Sequence, residues 1–534
     1  MHDNTGPIYK LDTSSPKAVR PRSIRDFKAE YPRFKEVLGY GSYGLAVHAI
    51  DRHGHDVVVK IQVANSPTAM QWVDREIVVQ QILTRSLRNH RNYLRGQPQP
   101  VAELMDYGTI SGPFADFLTG YDPKTDIDFD LIAFKHMLTH VIGDLKERTD
   151  VLYHYERDQH FLMHNVALAY RIIIMDYAHY GMPNGSEPTK LVSNPKTLCH
   201  VLMGLDALGS ALRFTHFDLS LANVVQAQYT IPKRKGVQQP RVEFVRTLSD
   251  GSGITIHCPF DTGDDSDATG PVWKYKYAKM IDFGDSGMSF TCGSSEAPRP
   301  IRIEGGSIWD NKEKGVDAAS SLYRYNVAAD LWRLAANLFW KLKPSDLSGD
   351  QPNILRDNIF DLLAHLVCGK SDAYLEVLSK GVAKMRELKL SGWLTLDSYV
   401  YLGRKLMKFC KDRETRNYPD IDKTIKEAKS LYYFVPPAAI GGPTAASVLR
   451  GANVFAAYRT NPGVRVRSVV YFTIDATPCE PDTSAEKRML RGQEAAATEK
   501  KRMAVETSSS SSSSSPSSSD SSPLPQPSLL HFNE

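Results

Sequence analysis

His216-Phe-Asp218-Leu-Ser-Leu-Ala-Asn223-Val-Val carries the most chemistry per residue of any stretch in this chain. Before it, Leu198, Leu202, Leu205, Leu208 and Leu212 recur at helical spacing. After it comes the apolar pair Val224 and Val225. An aspartate and an asparagine five residues apart in a tight loop bring a carboxylate and an amide together. The first can accept or orient the proton of a hydroxyl, and the second can serve a metal ion. This aspartate alone, like Asp282 below, also reads as a loop aspartate making a turn.

Four further signals lie outward from this loop. Downstream, Met280-Ile-Asp282-Phe-Gly284 sets an aspartate between an apolar strand pattern and a glycine hinge, which suits a hard oxygen ligand for Mg²⁺. Upstream lies Gly39-Tyr-Gly41-Ser-Tyr-Gly44. Glycines permit close approaches that a Cβ would block, as contact with phosphate requires, although a glycine-containing hairpin has the same spelling. Val57, Val59, Ile61 and Val63 alternate with Val58, Lys60 and Gln62, which is strand periodicity. Lys60 therefore sits within an apolar strand, where its ammonium needs a partner unless the strand is an edge that reaches water. Trp72, Val79 and Leu83 follow at helical spacing with Glu76 on the same stripe. A cation and an anion on adjacent apolar elements need each other; a glutamate at the surface near a helix start is the plainer alternative.

Composition narrows the class. The chain has 534 residues, 42% hydrophobic and 24% charged, enough for a large core in two or more domains or in one two-lobed unit with additions. Its 65 basic and 61 acidic residues leave a net charge of +4, which makes no case for a nucleic-acid or membrane partner. Cys199, Cys258, Cys292, Cys368, Cys410 and Cys479 form no CxxC pair, which argues against a disulfide framework or a cysteine zinc site and fits a reducing compartment. Met1 to Lys10 lacks the features of a secretory signal, and no apolar run approaches the roughly 20 residues that span a bilayer. The expected location is intracellular, in cytoplasm, nucleus or both. Lys487-Arg488 and Lys500-Lys-Arg502 are spaced like a two-part nuclear import signal, and equally like a solvated charged linker.

Residues 1–33 read as a flexible polar lead. Residues 34–180 read as a β-rich part with an insertion at about 112–165, and 181–430 as a mainly helical part with an irregular insertion at about 227–272. Residues 431–483 form an extension without an assigned structure. The tail, 484–534, contains the serine tract Ser508 to Ser522, whose composition predicts disorder.

The motifs occur in one order: Gly loop, Lys60, Glu76, Asp218 with Asn223, Asp282-Phe-Gly284. This set resembles that of the eukaryotic-type protein kinases. Val101 to Gly108 resembles the family's fourth strand, Ile174 to Ala178 its fifth strand and hinge, Asp330-Leu-Trp-Arg-Leu the start of its large helix, and Leu406 to Arg416 its late arginine segment. The divergence, with all phosphate-handling groups kept, is similar to that of the serine/threonine protein kinases of large DNA viruses. The resemblance implies an α+β, two-lobed fold: a small β-rich N-lobe with one key helix and a larger, mainly helical C-lobe, here with two insertions and a disordered C-terminal tail. It implies ATP and Mg²⁺ as cofactors and proteins as substrates. Gly39, Gly41 and Gly44 would cover the phosphates and Ala46 the adenine. Lys60 would hold the phosphates and pair with Glu76. Asp218 would act on the attacking hydroxyl, Asn223 and Asp282 would hold magnesium, and the hinge at Asp176 and Ala178 would bind adenine.

The chain departs from the family pattern in places. Phe217 stands where many kinases carry an arginine that pairs with a phosphorylated activation segment, so control of that kind is not expected. Ser220 stands where serine/threonine kinases usually carry lysine. No Ala-Pro-Glu occurs between Gly284 and Asp330, with Glu304 the candidate replacement as partner of Arg416. The long spacing of Asn223 and Asp282 predicts a projecting hairpin. Two further readings stay open: a pseudokinase scaffold, and a small-molecule kinase of the aminoglycoside or choline type, which shares the His-x-Asp-(four)-Asn loop.

Overall fold

The computed structural model describes residues 22–41, 44–63, 67–88, 98–113, 116, 167–178, 180–181, 188–232, 241–247, 252–260, 272–292, 299–303, 327–343, 353–389, 393–411, 423–424, 426, 442–460 and 469–471. All of these belong to one unit, residues 1–13 and 18–480; the other unit, 14–17 and 481–534, holds none of them. Most of the insertion at 112–165, Arg416, the import-signal candidate and the serine tract lie outside the described residues.

The fold is α+β. Its first layer is a six-stranded sheet in the order β1-β5-β6-β4-β3-β2. The strands are β1 (Arg22–Ser23), β2 (Arg33–Gly41), β3 (Gly44–Ile50), β4 (Asp56–Val63), β5 (Leu104–Pro113) and β6 (Ala167–Asp176). All neighbours are antiparallel except the two-residue edge strand β1. The alternation seen in sequence is the burial pattern of β4: Val57, Val59 and Ile61 are fully buried. Helix α2 (Pro67–Arg88) lies on this sheet, packing Val73 and Ile77 against Leu104, Ile173 and Met175. Asp74 reaches Arg171 of β6 at 3.1 Å, which fixes how α2 is turned.

The second layer is helical. α3 (Pro188–Ser193), α4 (Lys196–Leu212), α5 (Val327–Lys341), α6 (Asn353–Cys368), α7 (Asp372–Glu387) and α8 (Trp393–Lys411) surround one core. α5 is buried nearly all round, from Ala328 to Phe339, as a helix at the centre of a core should be.

Three regions differ from the sequence reading. The polar lead is ordered at its end: Ser23 caps α1 (Ile24–Glu30) by accepting from the Asp26 N–H, and Ile24 and Phe27 are buried. The irregular insertion holds strands. β8 (Val224–Pro232) and β11 (Val272–Met280) form a long antiparallel ladder, as the predicted hairpin requires. Between them, however, β9 (Arg241–Thr247) and β10 (Gly253–Pro259) do not project. Ile254, Ile256, Cys258 and Phe260 join the main core, because a strand with an apolar face must bury it somewhere. The extension at 431–483 supplies α9 (Ala445–Gly451) and β14 (Val469–Tyr471), which pairs with β9. Ala445, Val448 and Leu449 are core residues, and the Asn453 N–H donates to Asp361 of α6 at 2.7 Å. The remaining strands are β7 (Tyr180–Gly181) and the hairpin of β12 (Met288–Cys292) with β13 (Arg299–Ile303). Among the described residues, no helix is long and apolar enough to cross a membrane.

Candidate active site

Three elements converge on one ammonium. Lys60 stands on β4 opposite Ala46 of β3 and Ile173 of β6. Its Nζ donates to Glu76 Oε1 at 2.7 Å, to Glu76 Oε2 at 2.9 Å and to Asp282 Oδ1 at 2.8 Å. Gln62, two residues along the strand, donates to Glu76 Oε2 at 3.3 Å. Burial alone would push the Lys60 ammonium down, but the Asp282 and Glu76 carboxylates outweigh it and hold its pKa above the usual value. Burial pushes the Glu76 carboxyl up against the pull of Lys60. Asp282 is held below the ordinary carboxylate range, chiefly by the Lys60 charge. Glu76 is sealed at 2% side-chain exposure whereas Asp282 is 47% exposed, so only the second carboxylate is open to a ligand.

The loop that follows α4 is tied to the segment carrying Asp282. The Ile281 N–H donates to the Asn223 carbonyl at 3.0 Å, and the His216 ring donates to the Ile281 carbonyl at 2.9 Å. Thr215 and Gly287 exchange backbone hydrogen bonds, both at 2.9 Å. Phe283 is buried against His216 and Phe214, with ring centroids at 5.4 and 6.1 Å. Within the loop, the Asn223 amide donates to the Asp218 carbonyl at 2.8 Å and to Asp218 Oδ2 at 3.3 Å. Burial raises the Asp218 carboxyl, with His216 and Arg333 opposing. The structure thus gathers Lys60, Glu76 and Asp282 by direct contact, and Asp218 with Asn223 by contact with each other and with the backbone before Asp282.

Phe217 and Asp282 both have left-handed backbone, at φ 61° and 65°. Aspartate tolerates that region; for a bulky phenylalanine it costs about 1–3 kcal/mol. What holds it is Asp330 on α5, whose carboxylate accepts the His216 and Phe217 N–H groups, each at 2.8 Å.

The other predicted residues fall around this centre. Asp176 ends β6, and its side chain is engaged: it accepts from the Glu103 N–H at 2.5 Å and pairs with Lys279 of β11. Ala178 is half-buried and packs on the main core. Gly41 and Gly44 are Cα partners where β2 meets β3, and Gly39 is opposite Ala46. The glycines are not equivalent. A Cβ at Gly39 would meet nothing within 4 Å, whereas at Gly44 it would lie 2.2 Å from the Ile61 carbonyl oxygen and 2.7 Å from Gln62 Cγ. Gly44→Ala must therefore push β3 off β4, beside Lys60 and Gln62. The expected result is a lower melting temperature, with Gly39→Ala close to wild type in stability. Thermal unfolding of the two variants checks it, and equal melting temperatures would refute it.

No protein-family model matches the chain, and no curated protein matches it. The case for a site therefore rests on the geometry and on the motif order.

Sequence reasoning did not assign Lys279, Gln62 or Arg333 to this region. Gln62 carried a signal, lying on the same strand face as Lys60. Arg333 is fully buried on α5, one turn beyond Asp330. Asp330 itself has a titration consequence. Burial pushes its carboxyl from the ordinary 3.8 up to about 6, although His216 and the two N–H donors draw it down. The folded state thus binds this proton more tightly than the unfolded chain. The stability it contributes is fully present below pH 3.8 and is lost as pH rises through about 6. Asp330→Asn cannot titrate, so the melting difference between variant and wild type should change across that window and level off above it. A difference independent of pH there would contradict the assignment.

Proposed function

We propose that the chain is an ATP- and Mg²⁺-dependent protein kinase that transfers the γ-phosphoryl group to serine or threonine hydroxyls of proteins. One observation carries the reading. The lysine of a sheet strand contacts both the buried glutamate of the adjacent helix and the half-exposed aspartate of an Asp-Phe-Gly segment, whose backbone is hydrogen-bonded to the Asp218–Asn223 loop. The six-stranded sheet with α2, set against a mainly helical part, agrees with the two-lobed arrangement that the motif order implies.

The residues present suit the cofactor. Among the described residues, no three His, Cys, Asp or Glu side chains are placed to hold a metal ion. Mg²⁺ commonly takes only one or two protein oxygens and completes its shell with water and phosphate. The open Asp282 carboxylate and the Asn223 amide are of that kind. When bound, the metal would neutralise phosphate charge. Lys60 would orient the phosphates, Glu76 would keep Lys60 extended, and Asp218 would take or orient the hydroxyl proton. Such catalysis consists mostly of positioning and charge stabilisation, because phosphoryl transfer passes through a loose, highly charged transition state.

The acceptor class is tested by offering γ-labelled ATP with magnesium alongside basic and acidic proteins, an aminoglycoside and choline. Label on protein, recovered as phosphoserine or phosphothreonine, is the expected result. Label on a small molecule alone would replace this reading with a small-molecule kinase.

A further inference from the structure

The helix beneath the Asp218 loop does more than anchor it at one point. Asp330 accepts the N–H groups of His216 and Phe217, and Asn337 accepts the N–H of Leu221 at 3.3 Å. Both ends of the 216–221 segment are therefore laid on one face of α5. Residues i, i+3 and i+7 of a helix share a face. Arg333, three residues after Asp330 and four before Asn337, must face the part of the loop between those two anchors, which is the part that contains Asp218. It is among the largest fully buried side chains of the protein.

A guanidinium is charged at every accessible pH, and burying it is costly unless carboxylates lie within reach. From Phe214 to Pro232 there is no lysine or arginine, and His216 is the loop's one basic side chain. Yet it carries the partly buried Asp218 and is held by the buried Asp330, two acidic groups. The electrostatics agree, since at both Asp218 and Asp330 the Arg333 charge joins that of His216 in opposing the upward push of burial.

We propose that Arg333 is a positioning residue for the 216–221 loop, its buried guanidinium on the Asp330–Asn337 face of α5 supplying the positive charge on which the Asp218 segment is seated. It touches neither ATP nor the hydroxyl acceptor, and acts through the loop. Only the kinetic consequence rests on the phosphoryl-transfer reading.

The test uses the full chain with Arg333→Met and Arg333→Gln, neutral variants with an apolar and a polar stem, so that one folded variant suffices, and with Arg333→Lys. Two readouts are taken. In the first, kcat and KM for ATP are measured. A shifted catalytic group costs on the order of 10²-fold, so the neutral variants should lose about that factor in kcat with KM unchanged, since the groups assigned to ATP lie elsewhere. Arg333→Lys keeps the charge though not the planar fork, and should recover part of the loss. In the second, amide hydrogen exchange is followed in peptides covering residues 214–224. It should accelerate in the neutral variants and less so in Arg333→Lys, while peptides from β3 and β4 stay unchanged. Wild-type kcat with wild-type exchange in a neutral variant overturns the proposal. So does a loss that rises evenly across all peptides and tracks the folded fraction, which marks a purely structural residue. If the wild type turns over no ATP, the kinase reading fails on that result, and the exchange data still decide the role of Arg333.

Discussion

Asp218→Asn is expected to lower phosphoryl transfer by about 10² to 10⁴-fold, the usual contribution of a positioned general base, while ATP binding and the melting temperature stay near wild type. The geometry explains why the loss should be clean. Asn223 holds the loop mainly through the Asp218 backbone carbonyl, at 2.8 Å, and that group is untouched by the substitution. The longer contact, 3.3 Å to Oδ2, can be remade to the amide oxygen of an asparagine. The loop's outer anchors, Asp330 and Asn337, do not involve the Asp218 side chain. What disappears is the carboxylate proposed to accept the proton. Steady-state kinetics beside thermal unfolding checks this. A variant with wild-type kcat would remove Asp218 from the chemistry, and one that loses kcat only in step with folded protein would make it structural.

Lys60→Met should have a double effect. Transfer should fall to background, because the ammonium joins β4 to α2 and to the segment before Gly284. Stability should fall as well. Removing one partner of a buried pair typically costs about 3–5 kcal/mol, since the other charge is left uncompensated. Here that charge is Glu76, 2% exposed and then left, among the described residues, with Gln62 as its side-chain donor. The pH dependence tells this cause from simple loss of packing. In the wild type the Glu76 pKa is already raised above 4.5 by burial, with Lys60 pulling it back. Without Lys60 it rises further, and the folded state then binds a proton more tightly than the unfolded chain. The variant's stability must therefore increase as pH falls through the folded pKa, reaching its full value below about 4.5. The gap in melting temperature between variant and wild type should narrow on acidification. A constant gap would mean that Glu76 is not the charge left behind.

How much of this was legible in the sequence depended on how far apart the interacting residues lie. Lys60 and Glu76 are 16 residues apart, and strand alternation plus a helical stripe was enough to pair them. The contact between Asp330 and the His216 and Phe217 N–H groups spans more than a hundred residues. No local periodicity reports it; the resemblance marked Asp330 only as the start of a large helix, and its backbone-anchoring role appears in the structure alone. Arg333 is the limiting case, since a single arginine on a helix otherwise rich in Leu and Ala reads as a surface residue. Two misreadings were avoidable. Ser23 and Asp26 have the spacing of a helix cap: the Asp26 N–H donates to Ser23 Oγ, and the Ser23 hydroxyl donates to the Asp26 carboxylate. Ile254, Ile256 and Cys258 alternate as a half-buried strand does, but the Gly- and Asp-rich residues after Pro259 masked the pattern. The α9 cap was harder, because its box is closed by Ser447, which is neither Glu nor Gln.

The claim that ties these observations together is that Lys60, Asp218, Asn223 and Asp282 form one phosphoryl-transfer centre. Its most direct test is transfer of label from γ-labelled ATP, with and without magnesium, by the purified chain beside Asp218→Asn and Lys60→Met. The account predicts magnesium-dependent labelling of protein by the wild type and nearly none by either variant. Wild-type labelling that persists in both variants would place the chemistry elsewhere, and absent wild-type labelling with ATP bound would contradict a catalytic role for this centre.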